Sequence, residues 1–142
     1  SHTFTEVVQS FAPVVEGEKK KLVTEIQPDI LAETDPKYLY EIFTILLDNA
    51  AKYCDDGGTI RARLETHGKQ GFRAQVSNDY KNGAGVDYSH FFERFYRGDE
   101  SHNSKKAGYG IGLSMAEEAT RLLGGKIQVE YKDGVITFGV TF

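Results

Sequence analysis

Cysteine is almost missing from this chain: Cys54 stands alone, so no internal disulfide can form and the fold is expected to suit a reducing compartment. Net basic character is missing too. With 17 Lys and Arg against 21 Asp and Glu the formal charge is -4, which argues against a general nucleic-acid binder and restricts any phosphate site to a local one. No apolar run approaches the ~20 residues that span a bilayer, and no charged-then-apolar leader opens the chain. A soluble protein is the expectation. What is present is ordinary for a globular domain: 39% apolar and 27% charged residues over 142 positions. That is enough for one core that folds alone, with no second domain.

Patterning divides the chain. Phe4, Val7, Val8, Phe11 and Val15 recur at helical spacing up to Gly17, with Pro13 opposing a helix in its last turn. Lys19 to Lys21 read as a solvated turn before a short strand, Leu22 to Ile26. Asp35 and Pro36 start a second helix as cap acceptor and first-turn residue. Its apolar stripe runs through Leu39, Ile42, Phe43, Leu46, Leu47 and Ala50 and stops at Asp55-Asp56-Gly57-Gly58. Ile60, Ala62 and Leu64, then Phe72, Ala74 and Val76, alternate with polar residues and predict a hairpin around His67 to Gly71.

From Asp79 to Ala107 regular patterning stops, apart from an aromatic cluster between Tyr88 and Tyr96. So long an irregular stretch in a compact domain is a functional lid or a disordered loop. A helix from Ile111 to Leu123 follows, ended by Gly124-Gly125. Lys126 to Tyr131 and Val135 to Phe142 then form a hairpin about Lys132-Asp133-Gly134. The predicted order is α-β-α-β-β-lid-α-β-β, without internal repeats.

Three short motifs carry possible chemistry. Gly108-Tyr109-Gly110-Ile111-Gly112-Leu113 leads into a helix: alternate glycines allow close backbone approach, and a helix start offers free N–H groups to a phosphate. The same glycines also suit a flexible hinge or close helix packing. Asn49, Lys52 and Tyr53 share one helix edge at i, i+3 and i+4. An amide oxygen can ligate Mg²⁺, a lysine can neutralise phosphate, and a phenol ring can flank a base; equally, the first two can be solvated and the third can close the core. Phe92-Glu93-Arg94-Phe95-Tyr96-Arg97 mixes ring anchors with cations, or is a short core-anchoring helix.

Taken in order, these segments resemble the ATP-binding domain of sensor histidine kinases, within the group that includes gyrase, Hsp90 and MutL. Leu46-Leu47-Asp48-Asn49-Ala50-Ala51-Lys52-Tyr53 is similar to the family's N box, Phe92 to Arg97 to its F box, and Gly108 to Leu113 to its second glycine box. Leu123-Gly124-Gly125-Lys126-Ile127 and Gly134-Val135-Ile136-Thr137-Phe138 match its closing pattern. The resemblance covers the chain from about Phe4 to Phe142. It implies an α/β (α+β) two-layer sandwich, a mixed and mainly antiparallel sheet on about three helices, with an irregular ATP lid at about residues 79–107. It also implies ATP and Mg²⁺ as ligands.

Under that resemblance Asn49 would hold Mg²⁺, Lys52 would face the phosphates, and Tyr53 would border adenine. Gly108, Tyr109, Gly110, Ile111, Gly112 and Leu113 would wrap the triphosphate. Phe92, Arg94 and Arg97, or Lys105 and Lys106, would supply lid contacts, and Thr137 would join the nucleotide site. The implied partners are a dimerisation and phosphoacceptor domain of the same kinase and a response regulator, the chain being the cytosolic part of a membrane-anchored protein.

One box departs from the family pattern. Where the family has Asp-x-Gly-x-Gly, this chain has Asn78-Asp79-Tyr80-Lys81-Asn82, so Asn78 takes the place of the aspartate that accepts the adenine amino group. A shifted register would put Lys81 there, which cannot accept a hydrogen bond. A neutral acceptor loses about 1 kcal/mol against a charged one, somewhat under tenfold in affinity. In hydrolysing relatives a glutamate precedes the metal-binding asparagine by one turn; here that residue is Ile45, which cannot act as a base. His2, His67, His90 and His102 lack the context of an acceptor histidine and read as exposed or packing residues. The isolated chain is therefore expected to bind ATP without phosphorylating itself. A non-catalytic docking module of the same fold and an anti-sigma-factor-type serine kinase are the alternatives.

Overall fold

The computed structural model describes residues 1–31, 34–69, 71–81 and 109–142. Helix α1 (His2–Gly17) turns Phe4, Val7, Val8 and Val15 into the core and continues through Pro13, which sits on its exposed side. The chain then enters strand β1 (Lys21–Ile26). Helix α2 (Pro36–Tyr53) starts as its sequence dictates: the Asp35 carboxylate accepts from the Lys37 amide at 2.9 Å and Pro36 occupies the first turn. Its stripe packs on α1, where Phe43 meets Phe4 edge to face at 4.9 Å.

Strands β2 (Thr59–His67) and β3 (Gly71–Asp79) form the expected hairpin. After helix α3 (Tyr109–Leu122), strands β4 (Lys126–Lys132) and β5 (Val135–Thr141) pair around Asp133 and Gly134, with φ of 51° and 79°. Positive φ at both central residues is what a two-residue hairpin turn demands.

The sheet runs β1-β2-β3-β5-β4, parallel only between β1 and β2 and antiparallel elsewhere. It is the mixed, mainly antiparallel sheet of a two-layer α/β sandwich. Period-two alternation sends Ile60, Ala62 and Leu64 of β2, Phe72, Ala74 and Val76 of β3, and Ile136, Phe138 and Val140 of β5 into one core with the helices. Arg61, Arg63, Gln75, Ser77 and Thr137 line the opposite face. Among the described residues no helix is long and apolar enough to cross a membrane.

Three expectations change. Strand β3 runs on through Asp79, and the Tyr80 amide donates to Gly134 O at 2.7 Å, so the irregular stretch starts later than position 79. Helix α3 starts at Tyr109, two residues earlier than the apolar pattern suggests, and takes in Gly110 and Gly112. The lysine run is not simply solvated: Lys20 is 8% exposed, and its Nζ donates to Ala51 O at 3.0 Å and to Glu18 Oε2 at 2.9 Å. The helix end it reaches lies 31 residues along the chain, beyond the view of any local pattern. The rest of the expected lid, to residue 107, lies outside the described residues, as do His90, His102 and Gly108. His2 and His67 are exposed, as expected.

Candidate nucleotide site

Helix α2 links the candidate segments: its end is tied to the end of β3, and its middle packs against the first turn of α3. The Asp55 amide, just past α2, donates to Asp79 O at 2.9 Å. That bond ties the helix end to the strand end and brings Asn49, less than two turns upstream, toward Asn78. Helices α2 and α3 pack together, and a Cβ built on Gly112 would lie 3.8 Å from Ile45 Cγ2. Ile45 is one turn before Asn49, so the N-box helix and the glycine-box helix are neighbours, as their family order implies.

Asn78 is the most informative residue here. It is fully buried, and its cross-strand neighbours are both isoleucines, Ile60 on β2 and Ile136 on β5. Its Nδ2 donates to Asp79 O at 3.1 Å, whereas its Oδ1 is buried with no hydrogen-bond partner among the described residues. The Asp79 carbonyl fixes which way the amide points, because a flipped amide would set two oxygens against each other. What remains is one acceptor on the helix-facing side of the sheet, in an apolar wall. An orphaned buried acceptor costs about 1–3 kcal/mol, so this oxygen is open to a donor from beyond the described residues. Lys81, the alternative position, is exposed, and its amide donates to Asp55 Oδ2 at 2.8 Å.

On α2, Asn49 is 6% exposed, a buried amide at the helix edge. Lys52 is half-exposed and pairs with Asp48 at 3.3 Å, four residues upstream. Tyr53 is the half-buried last residue of the helix. Cys54 follows it in the core, and burial raises its thiol above the ordinary 9.0, with Lys20 nearby opposing the shift. It is a packing residue and stays protonated at neutral pH.

On α3, the first turn holds no acidic side chain, and the leading N–H groups of any helix lack intrahelical acceptors. Backbone from Tyr109 to Gly112 supplies them here. Gly112 has no positive φ, and among the described residues a Cβ there would make only an ordinary contact. Neither strain nor packing among the described residues explains that glycine, which in a helix is about 1 kcal/mol less favourable than alanine. Leu113 differs from expectation, since its side chain is 7% exposed within the hydrophobic core and only its backbone can face a phosphate.

Thr137 is misplaced for a nucleotide contact. It pairs with Ser77, and the two hydroxyls meet at 2.9 Å on the sheet face away from the helices. Adjacent residues of a strand point to opposite faces, so the β5 residue beside Asn78 is Ile136. The run Ile136, Phe138, Val140 carried that signal in the sequence. Phe92, Arg94, Arg97 and Gly108, with Lys105 and Lys106, lie outside the described residues.

Comparison with known proteins agrees with this geometry. Residues 34–142 match the family described as histidine kinase-, DNA gyrase B- and HSP90-like ATPase. The sensor protein VanS of Enterococcus faecium is 31% identical over 142 residues, covering 98% of this chain and 36% of VanS; the chain thus spans about a third of that relative. Among solved structures, the catalytic domain of histidine kinase ThkA superposes with a TM-score of 0.82 at 20% identity, over 99% of this chain and 90% of ThkA's. The mycobacterial sensor histidine kinase MprB gives 0.80 at 22%, over 97% and 93%. At such identities those two likenesses speak for the fold alone. The family match and the VanS relationship go further: the chain belongs to the histidine kinase-, DNA gyrase B- and HSP90-like ATPase family, as an ATP-binding domain similar to those of sensor histidine kinases.

Proposed function

We propose that this chain delivers the γ-phosphate of Mg-ATP to a histidine on a separate dimerisation domain of the same sensor kinase, and that Asn78 Oδ1 accepts the adenine amino group. The buried acceptor without a partner carries this reading. It lies at the strand end joined to the N-box helix, and the 6-amino group of adenine supplies the donor it lacks.

The other residues take roles that follow from their chemistry. Tyr53 borders the base, Lys52 neutralises phosphate charge, and the amides at the start of α3 bind phosphate oxygens. Asn49 fits Mg²⁺, since an amide oxygen is a hard donor and phosphate oxygens complete such a shell. When bound, the metal neutralises charge that builds on the phosphates. An incoming imidazole nitrogen forms its bond to the γ-phosphorus as the bond to the β,γ-bridging oxygen breaks and ADP leaves. Positioning and charge neutralisation carry most of such a transfer. Ile45 offers no base to a water molecule, which favours transfer over hydrolysis. On this reading the chain is part of a longer, membrane-anchored sensor that signals to a response regulator.

Calorimetric titration with a Mg-bound non-hydrolysable ATP analogue tests the binding, with Asn78→Asp as the diagnostic variant. A charged acceptor is expected to tighten binding by somewhat under tenfold; no gain removes Asn78 from the adenine site. In thermal-shift titration, ligand at 100 times its dissociation constant adds about 2.7 kcal/mol of stability. A flat response at millimolar Mg-ATP instead identifies a docking module. Label from γ-labelled ATP is expected on an added phosphoacceptor domain and not on this chain.

A further inference from the structure

The end of α2 lacks an ordinary stop. Its capping residue is Cys54, in an extended conformation (φ -63°, ψ 137°), and no left-handed glycine closes the last turn. Ala50 O still accepts the Cys54 amide at 3.0 Å, but the Asp55 amide, which would serve Ala51 O in a continuing helix, goes to Asp79 O instead. The backbone ladder ends at Ala51, and Lys20 Nζ takes over its carbonyl at 3.0 Å.

Several features make this contact unusual for a lysine. The Lys20 side chain is 6% exposed, and its counter-charge Glu18, at 2.9 Å, is half in solvent. Lysine is rarely buried so fully unless it is paired, and a water or a glycine cap would satisfy one carbonyl at less expense. The cation also stands at a helix C-terminus, where the dipole favours it. Lys21, next in the chain, donates its amide to Gly58 O at 3.0 Å, past the end of the same turn. The final turn of α2 is therefore held from two sides, by the start of β1 and by the end of β3.

That turn carries Asn49, Lys52 and Tyr53. We infer that Lys20 is a positioning residue for the nucleotide site: through the Ala51 carbonyl it sets the last turn of α2 and so the placement of the Asn49 amide and the Lys52 ammonium. The inference rests on the nucleotide reading above. Lys20 touches neither nucleotide nor metal, and its effect is confined to the geometry of the groups that do.

The test compares Lys20→Met, Lys20→Arg and Glu18→Gln in this chain, at a temperature where circular dichroism shows each to be folded. Titration uses a Mg-bound non-hydrolysable ATP analogue, repeated with EDTA. Lys20→Met is expected to weaken Mg-nucleotide binding about tenfold, equivalent to about 1.4 kcal/mol, with a smaller loss in EDTA. Lys20→Arg, which keeps a charged donor, recovers most of the affinity, and Glu18→Gln, which leaves the Ala51 contact in place, stays within about twofold. A purely structural Lys20 lowers the melting temperature without moving the dissociation constant, and that result overturns the inference. If the methionine variant does not fold, Lys20→Gln is read by the same criterion. Failure of the unaltered chain to bind nucleotide sinks the functional proposal first, and this inference with it.

Discussion

The two ends of helix α2 are built on different principles. Its N-terminal half is local and self-sufficient: Asp35 caps, Pro36 sets the first turn, and Leu39, Ile42 and Phe43 are buried in the core. Its C-terminal end relies on residues distant in sequence, with Lys20 on one carbonyl and Asp79 accepting the next free amide. The first end makes the domain stable. The second gives up a simple stop and ties the helix end that carries Asn49, Lys52 and Tyr53 to the strand end that carries Asn78. Under the proposed function, stability and recognition are separated along a single helix, and variants at each end should separate them in solution.

The largest expected effect lies at the stable end. Phe43 is 2% exposed and edge-on to Phe4, so Phe43→Ala should remove about 3–5 kcal/mol in urea unfolding, while the folded fraction binds nucleotide as before. A matching loss of affinity would break the separation. At the other end, Asn49→Ala should weaken Mg-nucleotide binding by about 10–100-fold, the equivalent of one hydrogen bond or ligation to a charged group. Its melting temperature should change little, and magnesium should no longer enhance binding.

Asn78→Leu sharpens the contrast. Removing a buried, unsatisfied oxygen should raise the stability of the ligand-free domain by about 1 kcal/mol while weakening ATP binding about tenfold. An equal loss of stability would mean that Asn78 serves the fold. Asp35→Ala should lower stability by about 1 kcal/mol through the lost cap, visible in thermal melts, with calorimetric affinity unmoved. The smallest effect concerns Cys54, whose thiol is raised above its ordinary 9.0 mainly by burial. A group whose folded pKa exceeds its unfolded one stabilises below the unfolded value and loses that contribution as pH rises through the folded value. Melts on Cys54→Ala should therefore show a shallower alkaline decline above about pH 9 than the unaltered chain.

How much of this was legible beforehand differs element by element. Asp35-Pro36, the apolar stripe of α2 and the Asp133-Gly134 turn are local signals, and the structure follows them. Asn78 follows from the alignment with Asp-x-Gly-x-Gly, and its buried oxygen suits that register better than the exposed Lys81 does. Thr137 was assigned from a motif, although the alternation of Ile136, Phe138 and Val140 already placed it on the far face. Lys20 left no such trace, since nothing in three consecutive lysines says which one a distant helix end will bury.

By itself, the sequence determined the element order, the helix starts, the hairpins and the family, because these depend on periodicity, caps and turn chemistry that act over a few residues. Tertiary structure alone decided that Asn78 keeps a buried acceptor without a partner among the described residues, that Ile136 stands beside it, and that a buried lysine closes α2. Those outcomes depend on which strands lie side by side and which groups must share hydrogen bonds once water is excluded. The sheet order β1-β2-β3-β5-β4 sets those neighbours, and no local pattern records it.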